Sequence, residues 1–536
     1  MIHRYSDVLE LIEHSFCSFP DKVAFSCMGK TLTYQELDAL SASFAVYLQQ
    51  DLGLQSGDRI AIQLPNILQF PIAFYGAVRA GLVVVNVNPL YTSRELTHQL
   101  VDSQAQVLVV LSNIAHNAAK IIADTEVKKV IVTNIGDLHG FPKKHIINFV
   151  VKHVKKMVPA YQFSNQIEFN DTLNGHSQSL VKQSIEPSQL LMLQYTGGTT
   201  GISKGAMLTH ANLANNVWQM VSHMPSAFDE GEETFIACLP LYHIYGLNLH
   251  ALAAFSTGQN NVLIPNPRDL AAMVAELKRV KMTVFVGIST LFIALCRFDK
   301  FKEVDFSTLD ITSSGGMALT EDAAHMWEKA TGCEVCEGYG LTETSPVLLG
   351  NKSHDIVLGT IGVPLPETEI ILLDEEGSEV GTGDVGELCA RGPQVMLGYW
   401  NRPDETADAM TADGYFRTGD MAIKREDGRY KIVDRKKDMI IVSGFNVYPN
   451  EVEDMACLHP KIIEAAAVGV ADESSGEIVK LFVVRDDESL TVEEVRVFCK
   501  TKLTAYKVPK IVEFRDELPK TNVGKILRRE LRDGTA

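Results

Sequence analysis

Residues 195–207 (YTGGTTGISKGAM) combine residue types that bind phosphate. Four glycines let backbone N–H groups surround phosphate oxygens, four threonine or serine hydroxyls can add hydrogen bonds, and Lys204 adds a positive charge. The spacing differs from the G-x-x-x-x-G-K-[ST] pattern of the Walker A loop. Because the apolar run 190–193 comes just before it, we predict a phosphate-binding loop that leaves a buried strand.

Five further motifs follow in chain order. They are LPLYH (239–243), GYGLTE (338–343), YFRTGD (415–420), VDRKKD (433–438) and PKTNVGK (519–525). Together with the glycine-rich loop, they resemble the adenylate-forming acyl-CoA synthetases, a superfamily that also contains beetle-type luciferases and peptide-synthetase adenylation domains. The resemblance covers nearly the whole chain. The stretch 434–453 and the C-terminal PKTNVGKILRREL are most similar to bacterial long-chain fatty acid–CoA ligases.

The resemblance implies an ATP-dependent acid–thiol ligase that acts on fatty acid, ATP and CoA with Mg²⁺. A fatty carboxylate attacks the α-phosphate to give acyl-AMP and pyrophosphate, and the CoA thiol then gives acyl-CoA and AMP. We find no Ser-His-Asp signature, and positioning and charge stabilisation are expected to supply most of the catalysis. Two alternatives remain open: a ligase for a medium-chain or aryl acid, and a lipid-binding relative without catalysis.

Four residues are expected to be catalytic by this resemblance. Lys525 reaches the substrate carboxylate and the α-phosphate, where a cation stabilises the negative charge gained in the transition state. Glu343 and Thr196 hold Mg²⁺. His243 forms a wall between the carboxylate site and the thiol tunnel. Three of these residues have a simpler alternative: Lys525 as one surface lysine among many, Glu343 as a solvated helix start, and His243 as a core histidine.

The resemblance also assigns nucleotide and CoA contacts. Asp420 and Arg435 are expected at the ribose, since a carboxylate accepts hydrogen bonds from two adjacent hydroxyls; a surface ion pair is the alternative for either residue alone. Gly315, Gly316 and Tyr339 resemble the walls around adenine. The remaining ATP or AMP contacts are Thr196, Gly197, Gly198, Thr199, Thr200, Gly201, Lys204, Gly338, Gly340, Thr342, Ile432, Asn446 and Lys525. The expected CoA contacts are Ser443, Gly444 and Phe445.

The resemblance places a hinge near the end of the chain. Residues 1–433 are expected to form an AMP-binding and acyl-substrate domain, Asp434 a hinge, and residues 435–536 a mobile catalytic lid. A long-chain synthetase also needs a tunnel for the acyl tail. Trp218, on a predicted helix 211–220, is a speculative gate for that tunnel; the favoured alternative is a Trp that faces the core.

The pattern along the chain indicates an α/β fold that positions these residues. Thr92 and Glu95 form a predicted capping box, and apolar runs at 107–111, 130–133, 262–264 and 283–286 read as buried strands between helices. We therefore expect a large N-terminal body of parallel or mixed sheets covered by helices. From Glu367 onwards the sequence is rich in turn residues, which predicts a small β-barrel-like subdomain. The C-terminal lobe is expected to be small and α+β.

Composition narrows the classes of function. The chain has 536 residues, with 49 basic and 67 acidic side chains and a net charge of −18, so general nucleic-acid binding is disfavoured. Nine cysteines and a first segment without a signal-peptide pattern favour a cytoplasmic protein. The most apolar window, residues 60–85, is interrupted by two prolines and an arginine and does not read as a membrane span.

One segment departs from the acidic trend. Residues 141–158 contain five lysines and no acidic residue, and apolar residues recur at helical spacing. Such a basic amphipathic helix can lie on the inner face of an anionic membrane. The alternative, which the pattern alone favours, is a solvated helix with its apolar stripe on the core. A homodimer is a further expectation.

Overall fold

The computed structural model describes residues 3–174, 179–196, 203–472, 475–520 and 526–534. The chain forms two compact units. Unit 1 comprises Met1–Leu358, Pro364–Thr368 and Gly392–Asp408, and unit 2 comprises Gly359–Val363, Glu369–Arg391 and Ala409–Ala536. The expected hinge, Asp434, lies inside unit 2, and the predicted domain division at this residue stays a prediction.

Unit 1 contains two sheets whose strands are mostly parallel. The first runs in the order β7-β6-β5-β3-β4-β8-β9, and only its edge strand β9 is antiparallel to its neighbour. Its strands are β3 (Arg59–Gln63), β4 (Val83–Asn86), β5 (Val107–Leu111), β6 (Lys129–Thr133), β7 (Gln166–Glu168), β8 (Leu190–Thr196) and β9 (Lys204–Thr209).

The second sheet includes the run β15-β14-β13-β12-β10-β11-β1-β2. The six strands from β14 to β1 are parallel, and β15 and β2 are antiparallel to their neighbours. The strands are β1 (Val23–Cys27), β2 (Lys30–Thr33), β10 (Thr234–Ala237), β11 (Asn260–Leu263), β12 (Val284–Gly287), β13 (Ile311–Ser314), β14 (Val335–Gly340) and β15 (Val347–Gly350). A two-residue strand, β16 (Val363–Pro364), follows in the chain.

Helices alternate with these strands, as the sequence predicts. They are α1 (Val8–Ser18), α2 (Tyr34–Val46), α3 (Gln69–Arg79), α4 (Ser93–Ser103), α5 (Ala115–Ala119), α6 (Lys143–Phe149), α7 (His210–His223), α8 (Ile244–Gly246), α9 (Leu270–Leu277), α10 (Ser289–Arg297), α11 (Glu321–Thr331) and α12 (Pro403–Asp408). Shorter 3₁₀ or π-helical segments are Tyr47–Asp51, Ile122–Asp124, Val150–Val154, Phe169–Leu173, Pro225–Phe228, Leu247–Ala254, Asp299–Glu303 and Thr342–Thr344.

Local sequence explains where several helices begin. The predicted capping box is confirmed, since Thr92 accepts from the Glu95 N–H and Glu95 accepts from the Thr92 N–H. Thr209 and Asn212 form the same reciprocal arrangement at α7. In the core, the fully buried Trp327 donates its indole N–H to Thr312 Oγ1 at 2.9 Å, so a large apolar side chain keeps its polar atom satisfied.

Unit 2 begins with a four-stranded antiparallel sheet in the order β17-β18-β19-β20. Among the described residues this sheet is open, so the expected barrel-like closure is not found. The many turn residues in this part of the sequence predicted antiparallel strands, but they could not predict whether the sheet closes into a barrel. The strands are β17 (Glu369–Leu373), β18 (Val385–Arg391), β19 (Phe416–Lys424) and β20 (Tyr430–Arg435).

The C-terminal part of unit 2 is α+β, as expected. A mixed sheet in the order β22-β21-β24-β23, with β25 beside β24, is covered by helices. The elements are the 3₁₀ segment Lys436–Asp438, β21 (Ile440–Val442), β22 (Phe445–Val447), α13 (Pro449–Cys457), β23 (Ile462–Asp472), β24 (Gly476–Arg485), α14 (Val492–Lys502), the 3₁₀ segment Ala505–Lys507, β25 (Ile511–Phe514) and α15 (Arg528–Arg532). Each helix in the described part of the chain is too short or too polar to cross a membrane.

Candidate active site

The glycine-rich loop joins two antiparallel strands. Thr196 ends β8 and Lys204 begins β9, and the two are register partners. β8 and β9 are therefore the two strands of a β-hairpin, and β9 runs on into α7. Five predicted phosphate contacts lie outside the described residues: Gly197, Gly198, Thr199, Thr200 and Gly201.

Lys204 lies among groups that hold a cation. Its ammonium group forms an ion pair with the Glu405 carboxylate on α12. Its Nζ atom is also 5.0 Å from the centroid of the Tyr399 ring, within the range of a cation–π contact. Lys204 is thus positioned at the base of the loop by side chains that are distant in sequence.

Glu343 lies in the 3₁₀ segment Thr342–Thr344, which follows β14. The residue is buried, and its Oε1 accepts a hydrogen bond of 2.8 Å from the Tyr399 hydroxyl. Burial, and then the charge of Glu343, raise the pKa of Tyr399 above its ordinary value. The tyrosine therefore remains a protonated donor at neutral pH and orients a carboxylate suited to Mg²⁺.

Residues 396–405, which we call the bracing segment, bring Tyr399 and Glu405 to these positions. Its first part pairs with β9: the Met207 N–H donates to the Gly398 carbonyl, and the Trp400 N–H donates to the Gly205 carbonyl. The Met396 N–H donates to the Glu343 carbonyl at 2.8 Å. The bracing segment therefore connects the β8–β9 hairpin, which we call the phosphate hairpin, to the 3₁₀ segment that carries Glu343, the predicted metal ligand.

The predicted adenine walls lie at the carboxyl ends of neighbouring parallel strands. Gly315 follows β13, Tyr339 and Gly340 end β14, and such strand ends meet at one edge of a sheet. A Cβ on Gly315 would lie 3.0 Å from the Tyr245 ring, and a Cβ on Gly340 would overlap the Pro346 carbonyl oxygen. Close packing requires glycine at position 340, and at position 315 it makes a larger residue depend on a small shift of the Tyr245 ring. Gly316 has φ +84°, and a Cβ on Gly338 would meet only ordinary contact.

His243 follows β10 in the chain and is half-buried. It forms the N-cap of α8. Its Nδ1 accepts from the Tyr245 N–H at 3.3 Å, and the Tyr245 hydroxyl lies 3.2 Å from Ser313 Oγ. These contacts fix the imidazole near the same sheet edge as Gly315. Its role as a wall between two substrate channels stays a prediction.

The buried acid Glu337 lies on β14, directly before Gly338, and was not anticipated from the sequence. Its Oε1 accepts from the Leu319 N–H at 3.2 Å, and its backbone carbonyl accepts from the Asn351 N–H. Burial raises its pKa from 4.5 to about 7. The neutral acid is therefore the form that the fold favours.

This raised pKa predicts a pH dependence of stability. Because the folded protein holds the Glu337 proton more tightly than the unfolded chain does, its stabilising contribution is complete below pH 4.5 and is lost as the pH rises through about 7. The loss amounts to roughly 3 kcal/mol. The difference between the melting temperatures at pH 5 and pH 8 should therefore be smaller in Glu337→Gln than in the wild type.

Thermal melts at both pH values measure this difference, and Glu334→Gln is the matched control. Glu334 lies on the same part of the chain but is exposed, so its replacement should keep the wild-type difference between the two melting temperatures. An equal pH dependence in wild type and Glu337→Gln would contradict the assignment.

In unit 2, Asp420 and Arg435 face each other on paired strands. They are register partners on β19 and β20, and Arg435 Nε lies 2.7 Å from Asp420 Oδ1. Asp420 is buried, and Arg435 is about one-third exposed. The structure thus brings together the two residues predicted at the ribose. Ile432, another predicted contact, lies on β20 opposite Ala422.

Asp434 is fully buried in a network of donors. Its Oδ1 accepts from the Arg435 N–H at 2.7 Å, and its Oδ2 accepts from the Asn450 N–H at 2.6 Å. Arg528 lies 3.7 Å away and pairs with Glu453 at 2.6 Å. Burial raises the pKa of Asp434 to about 6, against the opposing charge of Arg528. The predicted hinge residue therefore has a carboxylate anchored to α13.

The predicted CoA contacts form a tight turn between β21 and β22. Ser443 and Gly444 both have positive φ, +52° and +81°. Phe445 is 58% exposed and stacks on Tyr506 with ring centroids 5.0 Å apart. Asn446 is exposed opposite Ile441. The turn presents an aromatic face to solvent, and its role toward CoA stays a prediction. Lys525 lies outside the described residues.

Trp218 is half-buried on α7, beneath an arginine. The Arg4 guanidinium lies 4.2 Å above the indole ring and also pairs with Glu367 at 2.7 Å. A gating motion of this indole would have to break the cation–π contact. The gate stays a prediction, and the fully core-facing alternative does not describe this position either.

Tyr399 and Glu405 are the site residues that sequence reasoning missed. They stand in a stretch, GYWNRPDET, whose residue types carry no metal or phosphate pattern. The pairing of the bracing segment with β9 brings Tyr399 to Glu343 and Glu405 to Lys204, and only the structure shows this pairing. Long-range strand pairing of this kind has no local sequence signal.

Comparison with known proteins identifies the family. Residues 12–400 match the family model of the AMP-binding enzymes, and residues 451–525 match that of the AMP-binding enzyme C-terminal domain. The first match covers more than half of the chain. This chain belongs to the AMP-binding enzyme family, the adenylate-forming class expected from its motifs.

Two relatives and one solved structure resemble this chain along nearly their whole length. A protein of Escherichia coli O157:H7 named long-chain-fatty-acid–CoA ligase is 50% identical over 532 residues, covering 99% of this chain and 95% of the relative. A protein of Bacillus subtilis with the same name is 39% identical, over 97% and 93% of the two chains. The crystal structure of ATP-bound MatB from Rhodopseudomonas palustris superposes with a TM-score of 0.85 at 30% identity, covering 98% of both chains.

Proposed function

We propose that this protein is a long-chain fatty acid–CoA ligase that forms AMP. The observation that carries the proposal is the arrangement around Tyr399: the Lys204 ammonium lies 5.0 Å from its ring centroid, and its hydroxyl donates to the Glu343 carboxylate. A cation for phosphate and a carboxylate for a divalent metal are what ATP binding requires. The 50% identical ligases supply the substrate class.

The residues of unit 1 fit Mg²⁺. Glu343 offers a buried, hydrogen-bonded carboxylate, and Thr196 offers a hydroxyl at the end of β8. The described residues hold no group of three or more potential His, Cys, Asp or Glu ligands. This fits a metal bound by one carboxylate together with substrate phosphates. When bound, Mg²⁺ would neutralise charge on the ATP phosphates.

The first half-reaction joins the fatty carboxylate to AMP. A carboxylate oxygen bonds to the α-phosphorus while the bridging P–O bond breaks, and pyrophosphate leaves with the electron pair. Lys204 binds the phosphates beside the hairpin, and the Asp420–Arg435 pair binds the ribose. Lys525 stabilises the charge that develops between the two anions, where a fixed cation is most effective.

The second half-reaction transfers the acyl group to CoA. The CoA sulfur bonds to the acyl carbon, AMP leaves with the electron pair of the broken C–O bond, and the thiol proton is released to water. The turn Ser443–Gly444–Phe445 is proposed to contact CoA, and rotation at Asp434 to exchange the residues required by each step.

A panel of short-chain, medium-chain, long-chain and aryl acids tests this function. AMP formation that depends on CoA should be fastest with long-chain acids and should fall strongly in Glu343→Gln. Preference for medium-chain or aryl acids would support that alternative ligase. Pyrophosphate release that does not respond to any acid, with fatty acid binding retained, would support the non-catalytic alternative.

We also propose that residues 141–158 attach the enzyme to the inner face of an anionic membrane. This segment contains α6 and the π-helical Val150–Val154, and no residue of either helix is buried. Five large apolar side chains are more than half exposed: Phe141, Ile146, Phe149, Val154 and Met157. The alternative in which the stripe is buried in the core does not hold for Ile146 and Val154, while the other members of the stripe, Ile147, Val150, Val151 and Val158, are half-buried.

Charge complementarity selects the partner of this surface. The segment carries five lysines and no acidic residue on a chain whose net charge is −18, so an anionic surface attracts it selectively. Each lysine near anionic lipid contributes ~1 kcal/mol. A long-chain acid partitions into the bilayer, so attachment would bring the enzyme to its substrate. The expected homodimer stays a prediction that sedimentation velocity checks.

Replacing Lys152, Lys155 and Lys156 with Glu should release the enzyme from vesicles that contain anionic lipid. Activity toward detergent-dispersed acid should change much less, because these residues lie outside the nucleotide site. The matched control is the same charge change at the exposed lysines Lys120, Lys300 and Lys302. Vesicle co-sedimentation that is equal in the two triple variants would refute the proposed surface.

A further inference from the structure

The bracing segment supplies Lys204 with an acidic partner that the ligase reaction itself does not need. Glu405 lies on α12 and forms an ion pair with the Lys204 ammonium group. The lysine side chain is 24% exposed and the glutamate side chain 39% exposed, so solvent and ligands can reach the pair. Lys204 is thus both the cation of the phosphate hairpin and the partner of an internal anion.

The position of Glu405 is fixed by the chain around it. The Trp400 N–H donates to the Gly205 carbonyl, next to Lys204, and the Trp400 indole donates to the Asp102 carbonyl at 3.0 Å. Asp102 Oδ2 in turn accepts from the Tyr195 hydroxyl at 2.6 Å, on the opposite strand of the hairpin. These contacts hold the bracing segment on both strands of the hairpin, so Glu405 is pre-positioned.

Two anions that bind one ammonium group share its charge and repel each other. Its three N–H donors and its charge are shared between the Glu405 carboxylate and any polyphosphate that enters the loop. Tyr399 contacts both sides of the site: its ring centroid lies 5.0 Å from the Lys204 ammonium, and its hydroxyl donates to the Glu343 carboxylate. An anion that enters the hairpin must therefore compete with a carboxylate that is already in place.

We propose that Glu405 is a positioning residue that competes with polyphosphate for Lys204 and so promotes the release of pyrophosphate. Lys204 exchanges Glu405 for the phosphates when ATP binds, and Glu405 recaptures the lysine when the product leaves. The inference rests on the proposed function and extends it, because it assigns the release of one product to a residue outside the reacting groups.

Binding measurements on Glu405→Gln test this competition. Calorimetric titration with magnesium pyrophosphate and with Mg-ATP should show tighter binding by about two- to fivefold, the range expected when a part-exposed ion pair is removed. In turnover assays, added pyrophosphate should inhibit at correspondingly lower concentration, and the KM for ATP should fall. Asp404→Asn is the matched control: it removes one exposed negative charge from the same helix and should leave both affinities unchanged.

A double variant separates competition from a structural role. In a Lys204→Met background, Glu405→Gln should have no further effect on pyrophosphate affinity, because the shared cation is gone. The proposal is overturned if Glu405→Gln binds pyrophosphate as the wild type does or more weakly, or if it matches Asp404→Asn. A lowered melting temperature with weakened binding of both ligands would assign Glu405 to structure alone. Because binding is measured directly, these outcomes hold even if no acid supports turnover.

Discussion

Replacing Lys525 with alanine is expected to slow adenylation by about 10²–10³-fold, the cost of removing one charged group that stabilises a transition state. The resemblance places this lysine between the fatty carboxylate and the α-phosphate, where negative charge develops as the new P–O bond forms. Thioester formation from supplied acyl-AMP should survive much better, since that step needs no cation at phosphorus. Single-turnover assays of each half-reaction measure the two effects.

Lys510→Ala is the matched control for this variant. It removes an exposed lysine from the same unit and should leave both half-reactions at wild-type rates. Equal loss of adenylation and thioesterification in Lys525→Ala would show that the assigned role is wrong. Melting temperatures of the two variants should match, because each loses only one cation.

Asp434→Pro should abolish full turnover while one half-reaction survives. Proline fixes φ at about −65° and would prevent the backbone rotation expected at a hinge. The substitution also removes the carboxylate that accepts from Asn450 and Arg435, so part of its effect will be structural. The overall rate with fatty acid, ATP and CoA, compared with each separate half-reaction, gives the result.

Asp434→Ala separates the two effects of the proline variant. It removes the same buried carboxylate but leaves φ free, so it should lose stability and retain coupled turnover. Stability falls because Arg528 loses one of its buried acidic partners. Identical turnover in the alanine and proline variants would remove the case for a hinge at this residue.

Local patterns predicted the elements of the fold well. The run at 107–111 is strand β5 with the same bounds, and the predicted capping box of Thr92 and Glu95 begins α4. Such signals act within a few residues. The order of strands and the open four-stranded sheet of unit 2 depend on contacts between distant segments, which periodicity does not encode.

The site was predicted where its residues stand in contiguous motifs. Thr196, Lys204, Glu343, Asp420 and Arg435 all come from such stretches, and the structure pairs the last two directly. Glu337 escaped notice because a single acidic residue carries no sign of its burial. The segment 141–158 shows the opposite case: its periodicity is also that of a core-facing helix, and only the structure reveals that five of its large apolar side chains are more than half exposed.

The antiparallel pairing of β8 and β9, the strands that flank the glycine-rich loop, has an electrostatic consequence. In a strand–loop–helix arrangement, the positive end of the helix dipole lies at the loop and attracts phosphate without the help of a cationic side chain. Here the loop returns as β9, and α7 begins only at His210, one strand length of ~20 Å away. We therefore expect side-chain cations and a divalent ion to supply the long-range attraction for the triphosphate, in addition to the short-range hydrogen bonds from the loop. Such point charges are screened by salt, so nucleotide affinity should weaken as ionic strength rises.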